Sequence, residues 1–523
     1  MRFTPIILCL MSTLIGATSA VAQENKTVIL RSLDGFTQLR GEILSFDGKT
    51  FSIETGLGII NVNALQVECE GEACPQNLLF GAEFGVYGSN TIGATLMPAL
   101  IQGYADKMEA SLQRDLSSVD NEETLRIIHQ NGKEMAAIDL RAHGSGTASS
   151  GLADGEATIG MASRRLKDSE AASLRASGVN ELRDTQNEHI LALDGLIIIT
   201  NPDNPLNSIE LDELPYVFSG EVTNWSELGG PDQEIVLFAR DNKSGTFDTF
   251  DTLVMDPAAE AISPDARRFE SNAELSDAVS RTPGALGFTG AAFARAAKVL
   301  NLRQGCGIIS EPNTFSMKTE EYPLSRRLFL YDLPGDAPAH SRQLLDYALS
   351  DDAQGIVEES GFVSLDEERV ALANQGQRLV HAIVGESEFS LNDMRAMLTE
   401  LKDAERLSIT FRFNQGTNLD ARSVRDAERL AQAIAAGAYP GKEVLLVGFT
   451  DSIGQADLNR SLSLRRANEV YQNLANALGP AVLGQLPVTT LGFGEIAPVG
   501  CNTTFSGREN NRRVEVWLSD LNT

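Results

Sequence analysis

Three times between Phe84 and Phe247 a short apolar run breaks into a turn rich in Gly, Ser, Thr and Asn, followed by a helix-like pattern. Phe84-Gly85-Val86-Tyr87 leads into Gly88-Ser89-Asn90-Thr91, and Ala137 to Leu140 leads into Gly144-Ser145-Gly146-Thr147. Ile235-Val236-Leu237-Phe238 leads into Arg240-Asp241-Asn242-Lys243-Ser244-Gly245-Thr246-Phe247. Repeated strand, turn and helix units restrict this region to an α/β fold in which strand carboxyl ends gather on one side. Each turn offers unpaired backbone N–H groups and small hydroxyls that can cradle an anion, and Arg240 adds a guanidinium fork. Ser, Gly and Thr also favour ordinary helix caps, so the octapeptide alone fits either an anion cradle or a plain capped helix.

The chain has 523 residues, too many for one core, and about three domains are expected. Residues 1–22 read as a secretory signal peptide: Arg2, an apolar run from Pro5 to Leu14, and Ala20-Val21-Ala22 before a cut at Gln23. No later run reaches the roughly 18 apolar residues of a membrane-spanning helix. The net charge is −29, and loss of Arg2 makes it one unit more negative, which excludes nucleic acid as a partner by ordinary electrostatics. Any anion site must then rest on local donors working against the field of the whole molecule.

Of five cysteines, Cys9 falls within the signal. Cys69 and Cys74 bracket a short loop that a disulfide could close in an oxidising compartment, with zinc as the competing reading. Cys306 and Cys501 lie in different domains, and the sequence gives no reason to pair them. The five histidines, His129, His143, His189, His340 and His381, are scattered without metal-ligand spacing, and no nucleophile elbow is visible. No metal, cofactor or catalytic residue is therefore assigned, and the chain is read as a binding protein.

Residues 23–76 read as a small all-β domain of five-strand scale, a barrel, with short β-rich runs punctuated by Asp34-Gly35 and Asp47-Gly48. Residues 79–374 carry the alternating pattern. This region is similar to the phosphate-type periplasmic solute-binding proteins. The resemblance rests on the three turns above, Gly155 to Arg164, Phe218-Ser219-Gly220-Glu221-Val222-Thr223-Asn224-Trp225, Pro283-Gly284-Ala285-Leu286-Gly287-Phe288 and Tyr322-Pro323-Leu324-Ser325-Arg326, in the family's order. It implies a two-lobed type II fold with a hinge. It also implies oxyanion ligands at Thr91 and Ile92 in the first turn, Ser145 in the second, and Arg240, Ser244, Gly245 and Thr246 in the third. The family places an Asp after the run matching Gly160-Met161-Ala162-Ser163, where it accepts the proton of hydrogen phosphate. Here Arg164 stands instead, a permanent donor in place of an acceptor, so Arg164 joins the candidate ligands and the choice among oxyanions stays open.

A helical linker is expected over 375–406, from the spacing of Leu379, Val380, Ile383, Leu391, Met394, Leu398 and Leu401. Residues 407–523 resemble the OmpA-like peptidoglycan-binding domain, a β/α sandwich. Thr450-Asp451, the Asn459-to-Ala467 run and Asn511-Arg512-Arg513-Val514 carry that likeness. The resemblance implies that Asp451 and Arg466 clamp the ammonium and carboxylate of diaminopimelate, with Asn459 in support.

Together these features describe an exported, multidomain oxyanion-binding protein tethered to peptidoglycan. It is expected in the periplasm, wall-associated, at the outer membrane of a Gram-negative envelope, with an ABC permease as a candidate partner. Two alternatives stand beside it: an envelope interaction protein whose solute-binding fold has lost its ligand, and a phosphate-ester hydrolase using Asp241 or Asp248 as base.

Overall fold

The computed structural model describes residues 27–521 apart from 33–34, 47–49, 72, 75–79, 180–181, 185–186, 334–336, 377, 379, 381–390, 416–417, 420 and 480–486. The signal peptide and the linker positions Leu379 and Ile383 lie outside the described residues. The chain divides into two units, residues 1–79 and 80–523.

In the first unit, five strands form one antiparallel sheet: β1 (Thr27–Ser32), β2 (Gln38–Phe46), β3 (Thr50–Thr55), β4 (Gly58–Asn63) and β5 (Val67–Glu70), in the order β4-β3-β2-β1-β5. Alternation along β1 and β3 buries Val28, Leu30, Phe51 and Ile53 on one face. The expected barrel is thus an all-β sheet with no strand pairing between β4 and β5 among the described residues. A disulfide joins Cys69 to Cys74, which settles that pair against zinc.

In the second unit, β6 (Ala82–Gly88), β9 (Glu134–Arg141) and β10 (Ile159–Ala162) run parallel, with β7 (Ser111–Leu116) and β8 (Glu122–Ile128) as an antiparallel edge. These strands make the first lobe. β11 (Glu188–Thr200) is 13 residues long and nearly all buried, as a strand covered on both faces must be. Later strands are β12 (Ser208–Glu210), β13 (Val236–Arg240), β14 (Arg267–Phe269), β15 (Ala285–Gly290), β16 (Lys298–Arg303), β17 (Ile309–Ser310) and β18 (Ser325–Asp332). The first half of β11 pairs with β18 in the first lobe, and Leu196 to Thr200 pairs with β15 in the second. One continuous strand therefore passes through both lobes and forms the hinge line.

The second lobe is held by aromatic packing. Phe250 and Phe288 stack with ring centroids 4.0 Å apart, Phe218 meets both edge-on, and the Trp225 indole donates to the Gly284 carbonyl at 2.9 Å. Two of the sequence motifs quoted above thus meet in one core.

The last domain is a six-stranded sheet of β19 (Arg369–Ala371), β20 (Glu405–Gln415), β21 (Asn418–Leu419), β22 (Lys442–Gly448), β23 (Val488–Gly492) and β24 (Arg513–Asp520). Its main order is β19-β20-β24-β22-β23, with helices Ala421–Ala435 and Ala456–Leu478. Within the stretch expected as a helical linker, Leu391–Leu401 is helical, while β19, just before that stretch, pairs with β20 at the start of the new sheet. A disulfide joins Cys306, in the loop after β16, to Cys501 in this last domain. Sequence spacing could not reveal that pair, because 195 residues and a domain boundary separate its members.

Candidate functional site

The three Gly/Ser/Thr turns meet in the cleft between the lobes. In the first lobe, β6 delivers Ser89 to Ile92, β9 delivers Gly144 to Thr147, and β10 delivers Ser163 and Arg164. In the second, β13 ends at Arg240 and the helix Gly245–Phe250 follows, capped by the Ser244 hydroxyl, which accepts from the N–H groups of Thr246 and Phe247.

Across the cleft, Thr91 Oγ1 lies 3.1 Å from Thr246 Oγ1, and Asn272 Nδ2 of the second lobe donates to Thr91 Oγ1 at 3.1 Å. Ser145 and Ser163 hydroxyls are 3.2 Å apart. A Cβ at position 245 would collide with both of these hydroxyls, so only glycine lets the helix start approach so closely. Thr91, Ile92, Ser145, Ser163, Ser244, Gly245, Thr246 and Asn272 are all buried.

Arg240 is fully buried, and its Nε and Nη2 donate to the carbonyls of Phe269 and Glu270. Its Nη1 has no protein acceptor among the described residues. Burial pushes this guanidinium down to about 10, against the pull of the Asp241 carboxylate 3.6 Å away. A second buried arginine sits beside it. Arg326 pairs through Nε and Nη2 with Asp194, its register partner at the hinge, and donates from Nη1 to Thr246 Oγ1 at 2.8 Å.

In the last domain, Asp451 follows β22 and Arg466 lies in the helix Ala456–Leu478. The Asp451 carboxylate accepts from Arg512 Nη1 at 2.9 Å and from the Ile453 N–H at 3.2 Å. Asn459 Nδ2 donates to Glu495 at 2.6 Å and to the Asp451 carbonyl at 3.3 Å. Arg466 is buried over the Phe413 ring, and burial brings its guanidinium down to about 10 despite the nearby Asp451.

Among known proteins, a PBP superfamily domain matches residues 129–352 and the OmpA family matches residues 410–512. The phosphate-binding protein PstS of Bacillus subtilis is 31% identical over 246 residues, covering 46% of this chain and 76% of that protein. The chain belongs to the phosphate-binding PstS family. PstS of Borreliella burgdorferi is 28% identical over 204 residues, covering 37% of this chain and 72% of that protein. An ABC-type phosphate transport receptor from Vibrio cholerae matches with a TM-score of 0.39 at 23% identity, over 54% of this chain and 99% of that one.

Of the residues carried over from the phosphate-binding family, Thr91, Ile92, Ser145, Ser244, Gly245 and Thr246 gather at the cleft, with Arg240 behind them. Arg164 does not join them as a free donor. Its Nε bonds Asp248 at 2.7 Å, its Nη1 and Nη2 bond Glu170 at 2.8 and 2.7 Å, and Nη1 also reaches the Arg165 carbonyl. Burial opposes its charge, but the two carboxylates hold the guanidinium above its ordinary value. Asp248 also receives Lys167 Nζ at 2.7 Å, so this carboxylate is committed to two cations and is poorly placed as a general base.

Arg326, Asp194, Asn272 and Ser163 were given no role from the sequence. Asp194 had a readable signal: an Asp inside the apolar run of β11 must find a partner, since an unpaired charge in such a strand is costly. In the OmpA-family domain the Asn511-Arg512-Arg513-Val514 motif carries no sign of the bond from Arg512 to Asp451.

Proposed function

We propose that the central domain binds a tetrahedral oxyanion of the phosphate class between its lobes, and that the OmpA-family domain holds the molecule to peptidoglycan in the envelope. One observation carries the first half: hydroxyls from turns on both lobes converge to about hydrogen-bond distance beside a buried Arg240 whose Nη1 is unspent. An anion entering there would exchange the Thr91 to Thr246 contact for bonds to its own oxygens, and would take up the spare donor. Identity of 31% to a phosphate-binding protein supports the ligand class.

Wall attachment rests on Asp451 and Arg466, an acid and a base held at fixed places on strand end and helix, as a zwitterionic carbon requires. Among the described residues no helix is long and apolar enough to cross a membrane.

The direct bonds between lobes favour a second reading, in which the closed pair serves as an interaction surface and takes no anion. Calorimetric titration of the full chain with phosphate, arsenate, sulfate and small carboxylates separates the two. Saturable binding of one tetrahedral oxyanion is the expected result, and heats of dilution alone would overturn it.

A further inference from the structure

The histidine beside the second turn crosses the cleft. His143 Nδ1 lies 2.8 Å from Glu270 Oε1 on the second lobe, while its Nε2 lies 3.0 Å from Glu122 Oε1 on its own lobe. Glu270 has a second role: its backbone carbonyl accepts from Arg240 Nη2. The backbone carbonyl of Lys243, on the second lobe, presses against Gly144, whose φ of +132° and lack of a Cβ permit that approach. His143 thus stands where the two lobes touch, one residue from the turn that brings Ser145 to the site.

We propose that His143 is a proton-operated latch on the cleft: protonated, it bridges Glu122 and Glu270 and favours closed lobes, so that anion affinity rises as pH falls. The inference deepens the oxyanion reading of the cleft and rests on it.

A neutral imidazole has one N–H, so it can donate to only one of the two carboxylates; imidazolium donates to both. Opening the cleft removes Glu270 and leaves Glu122. The closed state therefore binds the proton more tightly than the open state, and protonation and closure favour each other by linkage. Burial works against the charge on His143, but the bonds to Glu270 and Glu122 outweigh it and leave its pKa raised.

Other charges face the latch from each packed element. From β9, Arg141 interacts with Glu122; from β13, Arg240 interacts with Glu270, and Asp241 lies beside Arg240. The stability that His143 adds to the closed form is fully present below its open-state pKa. It is lost as pH rises through the higher, closed-state value.

The test uses spin labels on the full chain at Gln113→Cys and Glu221→Cys, exposed positions on the first and second lobes. Label separation in anion-free protein is measured at about pH 5.5 and about pH 8.5, on either side of an ordinary histidine. The unsubstituted latch should give a shorter separation at the lower pH. His143→Gln should abolish the dependence, and His143→Lys, with a charge at both pH values, should stay closed at both.

Phosphate changes its own charge over this window, so affinities are compared between variants at one pH. His143→Gln should weaken phosphate binding about three- to tenfold at the lower pH and hardly at all at the higher one. The same pH profile of label separation in His143→Gln as in the parent would overturn the latch. If no anion binds the parent at either pH, the oxyanion reading falls, while the anion-free separations still judge the latch.

Discussion

Arg164 Nε donates to Asp248 Oδ2 at 2.7 Å, and the bond runs from the first lobe to the second. The same guanidinium is forked onto Glu170 of its own lobe. A residue that the sequence offers as an anion ligand is thus a strut between lobes.

Arg164→Asp is therefore not expected to restore a phosphate-selective site. It would place a third carboxylate against Glu170 and Asp248, all of them largely shielded from water. Breaking a buried pair in this way costs about 3 to 5 kcal/mol. We expect a lower melting temperature and weaker anion binding, both partly restored by adding Glu170→Gln. An Arg164→Asp protein that melts like the parent and prefers hydrogen phosphate would refute this.

For Arg240→Ala we expect loss of anion binding by about 2 to 5 kcal/mol, because a charge-assisted contact disappears from a desolvated site. Arg240→Lys keeps the charge but not the fork, and should fall in between. Calorimetry on both, with melting curves to confirm folding, reads the difference. Equal affinity in parent and Arg240→Ala would remove Arg240 from the site.

How much of this could be read beforehand follows from the range of each interaction. The turns at Gly88, Gly144 and Ser244 were legible because strand, cap and helix start are local, within a few residues. The partners of Arg164 were not, because Asp248 is 84 residues away and nothing in either stretch points to the other. Arg326 was visible as a motif, yet its bond to Thr246 depends on where the hinge brings β18. Cys306 and Cys501 were equally silent, since pairing depends on how the last domain docks.

That docking also places a buried ionic cluster between domains. Glu515 on β24 meets Arg378, Arg406 and Arg513, and Arg406 bridges on to Glu321 of the solute-binding domain. Burial alone would raise Glu515, but the three arginines hold it well below the usual carboxylate range. A carboxylate depressed in the folded state gives stability that is present above its unfolded pKa and is lost as pH falls through the folded value. Acid unfolding should therefore begin below the ordinary glutamate value near 4.5 and continue to lower pH. Glu515→Gln should melt lower at neutral pH and lose most of that acid dependence. Parallel melting-temperature profiles against pH would contradict this assignment.

The Cys306–Cys501 bond holds the last domain to the second lobe across 195 residues of chain. Closing so long a loop restricts the unfolded state, and loss of such a crosslink typically costs about 2 to 4 kcal/mol. Cys306→Ser with Cys501→Ser should lower the melting temperature and let limited proteolysis release the OmpA-family domain. Mass mapping of unreduced peptides supplies the direct check: free thiols at 306 and 501 in exported protein would contradict the pairing.

The proposed attachment to the wall can be tested at Asp451 and Arg466. Asp451 is not a loose surface acid: Arg512 and the Ile453 N–H fix its carboxylate, and Asn459 braces the loop through its bonds to Glu495 and the Asp451 carbonyl. Arg466 is held under the same loop, its Nη1 3.5 Å from the Phe449 carbonyl. A pre-set acid and base lose little side-chain entropy when a ligand arrives, which separates them from an exposed ion pair worth about 1 kcal/mol or less. We expect Asp451→Ala with Arg466→Ala to release the protein from purified diaminopimelate-type peptidoglycan in a sedimentation assay, with oxyanion binding unchanged. Arg512→Ala should weaken sedimentation as well, by freeing the Asp451 carboxylate, and Arg512→Lys should restore part of it. Free diaminopimelate should compete with the wall for the parent protein. If the double variant sediments like the parent and diaminopimelate does not compete, Asp451 and Arg466 are not the wall contact. Should Arg512→Ala sediment normally while the double variant does not, Asp451 needs no fixing and the bracing role of Arg512 falls.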